Sequence, residues 1–427
     1  MNSRQGLRIA TAVFFFLLAT SPLFADGVVR DSVGAISSGR GGTNLGFSDN
    51  GAILLNNPAG MVNIRGTRLS DVNVDLLMTD LSYADPLNSR AAKTRLQQLP
   101  ALTYIQKSED SLWAAGIGVY VPAGFGAQWS MQNAIMGRNR YESFDAVMKI
   151  LPGIAFHVTD KLAIGANFGV AISHADLESP FFLQTGPLAG TPTLFNLQAT
   201  GVAPTWGVGM QYELDEKTTF GFAYSSSTSF DLSGNVTTDI FGLGPAPVHS
   251  RFDLDMEMTW PSSLGFGVKH QLTDRQTVSL DLVWFNWSDA FDKIDMRLSN
   301  PSNPLVQGLV GRKLRDALAL DWKDSISVRL GYELQLTCCD VLRLGYIHNS
   351  ITTPSSTLTP LIPATLEHTF TIGYGKSLGS CRWDLAYQYA FGPTRRVTTS
   401  EIVGGDFNFS KVKSDTHWLM LSYTQNF

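Results

Sequence analysis

The 427-residue chain combines 44% hydrophobic residues with only 16% charged residues and a formal net charge of −5. Soluble domains usually carry about 25% charged residues, so a charged fraction this low is unusual in a chain without a long apolar block. The negative charge, with no basic cluster interleaved with aromatics, excludes nucleic acid as an expected partner. The three cysteines, an odd number, exclude a disulfide scaffold.

The first 25 residues have the pattern of a secretory signal peptide. Arg4 and Arg8 precede an apolar run from Ile9 to Ala19, and a short stretch then leads to Ala25. The run is too short for a membrane-spanning helix, which needs about twenty apolar residues. We therefore expect residues 1–25 to be removed on export.

Residues 26–69 carry no strand pattern and are rich in Gly, Asn and Asp. Their glycines match neither the P-loop nor the dinucleotide-binding fingerprint. One interpretation is a periplasmic tail without fixed structure, for which the composition is suitable. The other is a plug folded into a barrel mouth, because Gly permits close backbone packing and Asn-Pro starts a tight turn. In the plug, Ile53, Leu54, Leu55 and Met61 provide an apolar side.

Residues 70–427 are dominated by alternation with period two. In residues 162–170, for example, the apolar residues Ile164, Phe168 and Val170 share one face and Asn167 lies on the other. About fourteen such runs predict an all-β, transmembrane, antiparallel barrel, in which one face suits hydrocarbon and the other a polar lumen. A soluble β-sandwich or propeller also alternates, but its outer face would be polar.

The connections between these runs alternate in length. Short ones include 160–161 and 379–380, and long ones include 123–141, 177–197 and 233–250. Short periplasmic turns and long outer loops are typical of barrels in the Gram-negative outer membrane. The chain ends on Phe427 at the tip of an amphipathic strand, which resembles the signal read by the outer-membrane assembly machinery.

Three motifs resemble the N-terminal hatch of the FadL/TodX family, transporters of long-chain fatty acids and aromatic hydrocarbons. They are Gly39-Arg40-Gly41-Gly42, Asp49-Asn50 and Asn57-Pro58-Ala59, of which the last is the most specific. The resemblance implies a monomeric fourteen-stranded barrel closed by a hatch, which captures ligand in an outer groove and passes it to an inner apolar pocket. It also implies release after hatch movement, sideways through the wall at the third strand.

The sequence of the third strand itself is compatible with a lateral gate. Gly116 and Gly118 lack packing side chains, and Pro122 and Gly124 follow, so the hydrogen-bond ladder near the outer end should be weak. Each buried CH₂ is worth about 0.8 kcal/mol, so lateral release into the bilayer avoids exposing a long acyl chain to water. The alternative is that Pro122 merely ends the strand and opens the loop.

The loop predicted after this strand is more apolar than exposure favours. Its candidate ligand-groove residues are Phe125, Trp129, Met131, Ile135 and Met136. Met and aromatic side chains suit varied apolar ligands, although a loop folded onto its own small core is an equal alternative. The basic residues that are candidates for pairing with a ligand carboxylate, or for facing lipopolysaccharide phosphates, are Arg138, Arg140, Arg312, Lys313 and Arg315.

The sequence offers little support for catalysis. Seven histidines lack metal-ligand spacing, and there is no Gly-x-Ser-x-Gly elbow. We therefore predict no enzyme activity, metal or cofactor, and passive uptake of hydrophobic compounds, above all long-chain fatty acids. The alternatives are an aromatic-hydrocarbon channel, a general diffusion porin and an adhesive barrel. The expected partners are the ligand, outer-membrane lipid and lipopolysaccharide, and Cys339 with Cys381 is a candidate disulfide at the periplasmic edge.

Overall fold

The alternation in the sequence builds one antiparallel sheet. The computed structural model describes residues 28–427, so the expected signal peptide lies outside the described residues. The strands are β1 Arg68–Ala84, β2 Ser89–Ala91, β3 Leu96–Lys107, β4 Trp113–Asn133, β5 Gly137–Thr159, β6 Leu162–Phe182, β7 Pro192–Asp215, β8 Thr218–Ser225, β9 Thr228–Ile240, β10 Val248–Trp260, β11 Ser263–Thr273, β12 Gln276–Phe285, β13 Lys293–Ser299, β14 Lys313–Ala319, β15 Ser325–Gln335, β16 Asp340–Asn349, β17 His368–Leu378, β18 Cys381–Phe391, β19 Arg395–Val397 and β20 Ser410–Asn426. The helices are Gly34–Gly39, Ile53–Asn56, Trp287–Ala290 and Pro304–Val310, with 3₁₀ turns at Pro58–Asn63 and Gly186–Leu188.

Hydrogen-bonded neighbours arrange these strands in fourteen barrel positions. Four positions are each occupied by two successive strands with a short break, namely β8 with β9, β10 with β11, β12 with β13, and β14 with β15. The ring closes where β1 pairs with β20, from Leu69↔Asn426 to Ala84↔Lys411. The predicted barrel of fourteen antiparallel strands is confirmed, and closure pairs the first strand with the last, so that the sheet has no open side in the lipid.

The two faces of the wall follow the predicted alternation. On β6, Ile164, Phe168 and Val170 are 43%, 65% and 42% exposed, whereas Asn167 between them is buried in the lumen. On β15, Ile326 faces outward and Arg329 is buried inside. The apolar outer face therefore meets hydrocarbon, and the polar inner face is left to contact whatever fills the lumen.

The outer connections are shorter than predicted because the strands continue beyond the apolar band. β4 ends at Asn133 and β5 begins at Gly137, so the long loop predicted over residues 123–141 is wrong. The ladder between β6 and β7 likewise reaches Phe182↔Pro192. Backbone amides need partners wherever they are sheltered from water, and adjacent strands supply them even where the side chains no longer follow a membrane pattern.

Residues 28–67, here called the plug segment, lie inside the barrel. Its helix Gly34–Gly39 contacts β16, β17, β18, β20 and β1, and its 3₁₀ turn Pro58–Asn63 contacts β4, β5, β6 and β7. Most of its side chains are buried, including Ile53, Leu54 and Met61. The interpretation of these residues as a plug thus fits the structure better than a free tail. None of the described helices is long and apolar enough to cross a membrane.

Candidate functional site

Three carboxylates of the barrel wall hold the backbone of the plug segment. The bonds are Gly51 N–H to Asp71 Oδ2 at 2.6 Å, Gly34 N–H to Asp75 Oδ2 at 3.0 Å, and Asn44 and Leu45 N–H to Asp281 Oδ2 at 2.7 and 3.1 Å. All three carboxylates are buried. Because hydrogen bonds to a carboxylate are stronger than neutral ones, these contacts fix the plug segment on two opposite sides of the lumen.

The Asn57-Pro58-Ala59 motif joins the plug segment to itself and to the wall. The Asn57 side chain donates to Leu45 O at 2.8 Å and to Met210 O on β7 at 3.0 Å. Its Oδ1 accepts from Ala59 N–H at 3.3 Å and so caps the 3₁₀ turn that Pro58 begins. One side chain therefore bonds three backbone groups, two in the plug segment and one in β7.

Glycines of the wall make room for this motif. A Cβ on Gly165 would lie 2.5 Å from Ala59 N, and a Cβ on Gly209 would overlap Asn57 Oδ1. A Cβ on Gly221 would likewise overlap the carbonyl of Leu45. The wall is thus shaped for the plug backbone at these positions, which explains why small residues occupy them.

A chain of alternating charges, in which Arg40, Arg343 and Asp384 are buried, ties the plug segment to the opposite wall. Arg40 Nη1 lies 2.8 Å from Asp49 Oδ2 and 3.4 Å from Glu333 Oε1 of β15. Arg343 of β16 continues the chain, with Nε 2.6 Å from Glu333 Oε1 and Nη1 2.6 Å from Asp384 Oδ1. Burial raises the pKa of Asp49, but Arg40, Arg382 and Arg343 outweigh it and hold that pKa well below its usual range. The carboxylate therefore stays ionised.

Replacing Arg343 with methionine should destabilise the barrel strongly. The change removes the cation shared by the half-buried Glu333, which keeps Arg40, and the buried Asp384, which keeps Arg382. Breaking a buried pair costs about 3–5 kcal/mol. We expect a loss of that size in urea unfolding of the lipid-reconstituted protein, followed by tryptophan fluorescence. Arg297→Met is the control, because Arg297 pairs with Glu257 on the exposed surface and should cost under about 1 kcal/mol. Equal losses for both variants would contradict the role given to the buried network.

A narrow apolar cavity with a free volume of about 90 Å³ lies within the barrel on the outer side of the plug segment. Its lining residues are Phe125, Ser143, Phe144, Asp145, Ala175, Asp176, Leu177, Pro180, Phe181, Phe182, Phe195, Leu197, Met256, Met258, Ile294, Met296, Leu318, Thr359, Leu361, Ile362, Ile402, Val403, Asp406 and Phe407. Among these described residues there is no Lys, Arg or His. The cavity thus offers aromatic and thioether surface without a countercharge for an anion.

The candidate groove residues lie at three different places. Phe125 lines the cavity. Trp129 and Met131 are buried in a neighbouring cluster, where Trp129 Nε1 donates to Pro360 O at 3.1 Å. Ile135 is 60% exposed at the tip of the β4–β5 hairpin, next to the half-buried Met136. Only the first of the five therefore belongs to the cavity.

The sequence contains a signal for the cavity residues, which a search for strands with an apolar outer face overlooks. On β10 the apolar residues Met256 and Met258 alternate with Asp255 and Glu257. Charged residues do not face lipid, so this strand must present its charges to water and its apolar side chains to the lumen. The inverted alternation marks a strand above the bilayer that encloses apolar space, and β10 supplies both methionines to the cavity.

The outer connection from 398 to 409 covers the cavity through Ile402, Val403, Asp406 and Phe407. Asp406 Oδ2 accepts from Asn133 Nδ2 at 2.8 Å. Burial raises the pKa of Asp406 to about 6, and the nearby Asp85 adds to the rise. The closed connection therefore favours the neutral acid.

The cover should loosen as the pH rises. The pKa of Asp406 in the folded state, about 6, exceeds its ordinary value of 3.8, so closure is favoured below pH 4 and loses that advantage as the pH rises through 6. We expect smaller protection factors, that is, smaller ratios of the intrinsic to the observed exchange rate at each pH, in residues 398–409 at pH 7.5 than at pH 5 in hydrogen–deuterium exchange. Asp406→Asn should remove the difference, whereas Glu401→Gln, at an exposed position, should not. An unchanged pH response in Asp406→Asn would show that another group titrates.

The barrel wall has a gap between β3 and β4. Their ladder runs from Lys107↔Ala114 to Leu102↔Val119 and stops there. Beyond it, residues 96–101 of β3 pair only with β1 among the described strands. On β4 the register shifts between Tyr120 and Ala123, which places Val121 and Pro122 opposite a single residue of β5. This bulge bends β4 away from β3, and the resulting opening is here called the wall gap.

The beginning of the plug segment occupies the free edge of β4. Arg30 N–H donates to Pro122 O at 2.9 Å, and Gly124 N–H donates to Val28 O at 3.1 Å. Val28 and Val29 also pack against the apolar cluster that surrounds the cavity. These few residues therefore stand between the cavity and the wall gap.

The gate candidates divide between the gap and the strand below it. Pro122 and Gly124 lie at the bulge. Gly116 and Gly118 lie in the paired part of β4, opposite Ile105 and Thr103. Gly118 has a packing role, because the ring of Tyr120 fills the space where its side chain would lie.

The thiols and acidic groups do not suggest a metal or redox site. Within residues 28–427, no group of three or more His, Cys, Asp or Glu is arranged to hold a metal ion. Cys339 Sγ lies 3.1 Å from Cys338 Sγ, and Cys381 Sγ lies 3.1 Å from the Tyr423 hydroxyl. All three are free, so the candidate Cys339–Cys381 disulfide is not formed.

Comparisons with known proteins place these features in context. The family model described as outer membrane protein transport protein (OMPP1/FadL/TodX) matches residues 17–427. A Pseudomonas aeruginosa FadL homologue shares the fold with a TM-score of 0.77 and 17% identity, over 94% of this chain and 100% of that one. The Pseudomonas putida toluene transporter TodX matches with a TM-score of 0.76 and 22% identity, over 95% of this chain and 100% of that one. The Ralstonia pickettii toluene transporter TbuX matches with a TM-score of 0.73 and 19% identity, over 93% of this chain and 99% of that one. Comparison with curated proteins finds no significant sequence match.

Proposed function

The chain belongs to the OMPP1/FadL/TodX family of outer-membrane transport proteins, and from that membership we propose that it takes up uncharged hydrophobic compounds passively, with lateral release through the wall gap. As a member of the family it is an outer-membrane β-barrel channel for hydrophobic compounds. The observation that carries the finer proposal is the apolar cavity, which adjoins Val28 and Val29 at the wall gap and has no cation among the described residues that line it.

The proposed route runs from the cavity past the first residues of the plug segment into the bilayer. Val28 and Arg30 hold the edge of β4 by two backbone hydrogen bonds, each worth about 1 kcal/mol net. The Arg30 side chain is anchored more firmly, because it donates to Val121 O at 3.1 Å and pairs with the buried Asp75. Detachment of Val28 and Val29, with Arg30 still held by Asp75, is a small movement, whereas withdrawal of the whole plug segment would break its carboxylate and Asn57 contacts as well. An apolar ligand that leaves through the gap passes from the apolar cavity directly into the hydrocarbon of the bilayer and avoids the cost of hydration.

The charges around the cavity favour a neutral ligand over a fatty-acid anion. Asp145 and Asp406 line the cavity, and no Lys, Arg or His does so among the described residues. A carboxylate there would be desolvated and placed near other carboxylates, both of which are unfavourable. This preference departs from the expectation of fatty acids drawn from the sequence, and it agrees with the toluene transport named for TodX and TbuX.

Fatty-acid uptake is the second candidate, because of Lys149. This inward-facing residue of β5 lies opposite Tyr120 of β4, next to the bulge. Its Nζ donates to Thr205 Oγ1 at 3.1 Å, and among the described residues no carboxylate lies within 4 Å of it. A long ligand with its tail in the cavity and its carboxylate at Lys149 would satisfy this cation.

Uptake of labelled toluene and labelled oleate by cells that express the protein tests both candidates. The proposal expects toluene uptake above that of empty-vector cells, unaffected by Lys149→Met. Oleate uptake that Lys149→Met abolishes would favour the second candidate instead. If neither compound enters faster than in the empty-vector cells, a porin or an adhesive barrel would replace the transporter.

A further inference from the structure

A basic groove lies on the outer surface of the barrel, directly beyond the wall gap. It encloses about 900 Å³, including open solvent, between β2 with its following residues and the β4–β5 hairpin. Its lining includes Arg90, Lys93, Arg138 and Arg140, with Gln128 and Ser130 as the polar side chains between them. No acidic residue is among the described residues that line it, so the groove concentrates positive charge.

Most of these cations form no ion pair within residues 28–427. Arg140 pairs with Glu142 and lies 3.3 Å from Glu178, both outside the groove. By contrast Arg90, Lys93 and Arg138 make no ion pair with any described carboxylate. A backbone bond from Lys93 N–H to Gln128 O at 2.8 Å nevertheless joins the two sides of the groove. Three unpaired cations are therefore held on a scaffold rather than scattered over a mobile surface.

The groove lies at the height where the apolar band of the barrel ends. On β3 the last outward apolar residue is Leu96, which is 53% exposed, and Arg95 and Lys93 come immediately before it. On β5 the outward residues change from Phe144 to Glu142 and Arg140. In a transmembrane barrel this boundary is the level of the lipid head groups. A ligand of the groove is thus most simply a lipid whose acyl chains descend beside the wall gap.

We propose that this groove binds the phosphate groups of lipid A, the lipid anchor of lipopolysaccharide, and so holds one molecule of it at the outer mouth of the wall gap. Clusters of Lys and Arg at a membrane surface recognise anionic lipid head groups. Arginine binds phosphate oxygens in a bidentate manner, and two arginines with one lysine suit a phosphate better than a single carboxylate. The inference does not depend on which substrate the channel carries.

Native mass spectrometry of the purified protein in detergent, mixed with lipid A, tests the assignment. The probes are diphosphoryl lipid A and a phosphate-free lipid A of the same acyl composition. The variant is Arg90→Gln/Lys93→Gln/Arg138→Gln, and the matched control is Arg312→Gln/Lys313→Gln/Arg315→Gln, three exposed cations at the start of β14. Heat-modifiable migration in gels shows that each variant forms the barrel.

We expect the groove variant to bind diphosphoryl lipid A at least about tenfold more weakly, as loss of charge-assisted contacts implies, and the control variant to bind it like the wild type. The wild type should prefer the diphosphoryl probe to the phosphate-free one by a similar factor. Equal binding of both probes, or equal binding by the groove variant and the wild type, would overturn the proposal. So would a groove variant that retains lipid A binding but loses oleate uptake, because the groove would then serve a substrate carboxylate.

Discussion

Deletion of Pro122 should close the wall gap and reduce uptake about a hundredfold. Val121 and Pro122 stand opposite one residue of β5, so removal of one residue restores a regular register. Before the bulge the even-numbered residues of β4 face inward, and after it the odd-numbered ones do. Removal of one residue therefore leaves every remaining side chain of β4 on its present side of the wall. β4 can then pair with residues 96–101 of β3, gaining about three hydrogen bonds of roughly 1 kcal/mol each, which corresponds to the hundredfold factor.

The measurement is uptake of labelled substrate by cells, combined with ligand binding to the purified variant. Binding should persist, since the cavity is unchanged, while uptake falls. Pro122→Ala is the companion variant: it keeps the extra residue, so the bulge and the uptake should remain. Normal uptake by the deletion variant would mean that the ligand leaves by another route, most simply past a displaced plug segment.

Substitution of Gly209 by leucine should turn the closed barrel into a conducting one. A Cβ at this position overlaps Asn57 Oδ1, so the motif has to leave its seat on β7. The displacement breaks the bonds from Asn57 to Leu45 O and Met210 O, and each buried carbonyl left unpaired costs about 1–3 kcal/mol. The residue faces the lumen, so the lipid-facing surface and the assembly of the barrel should be unaffected.

Planar bilayer recordings check this expectation. The wild type should show little steady ion current, and Gly209→Leu should raise the conductance about tenfold or more, because an unplugged barrel of this size holds a polar lumen. Gly308→Leu is the control, since a Cβ there has open space within 4 Å. A silent Gly209→Leu channel would show that the plug segment tolerates the loss of this seat.

Much of the architecture follows from local sequence. A strand between hydrocarbon and a lumen has to alternate with period two, and this requirement is met within each strand, as in Ile164, Asn167 and Phe168 of β6. The strand number, the outer-membrane location and the membership of the hatch family were accordingly predicted correctly. The Asn-Pro-Ala motif marked the plug segment, because Asn caps and Pro starts a turn in any context.

The candidate site was predicted less well, because its parts are distant in the chain. The free edge of β4 is covered by Val28 and Arg30, some ninety positions away. Arg40 pairs with Glu333, which lies 293 positions further along the chain. No local pattern carries such pairings. Trp129 and Ile135 seemed equivalent as apolar loop residues, yet pairing of β4 with β5 places one in a buried cluster and the other at an exposed tip.

The sequence by itself thus determined which residues face lipid, how many strands close the barrel and which segment fills it, since bilayer and backbone impose these choices residue by residue. Only the tertiary structure decided where the ladder between β3 and β4 stops, which side chains line the cavity and which cations stay unpaired. These features depend on closure, which sets the register of every strand against its neighbours and brings the first strand, β1, together with the last, β20.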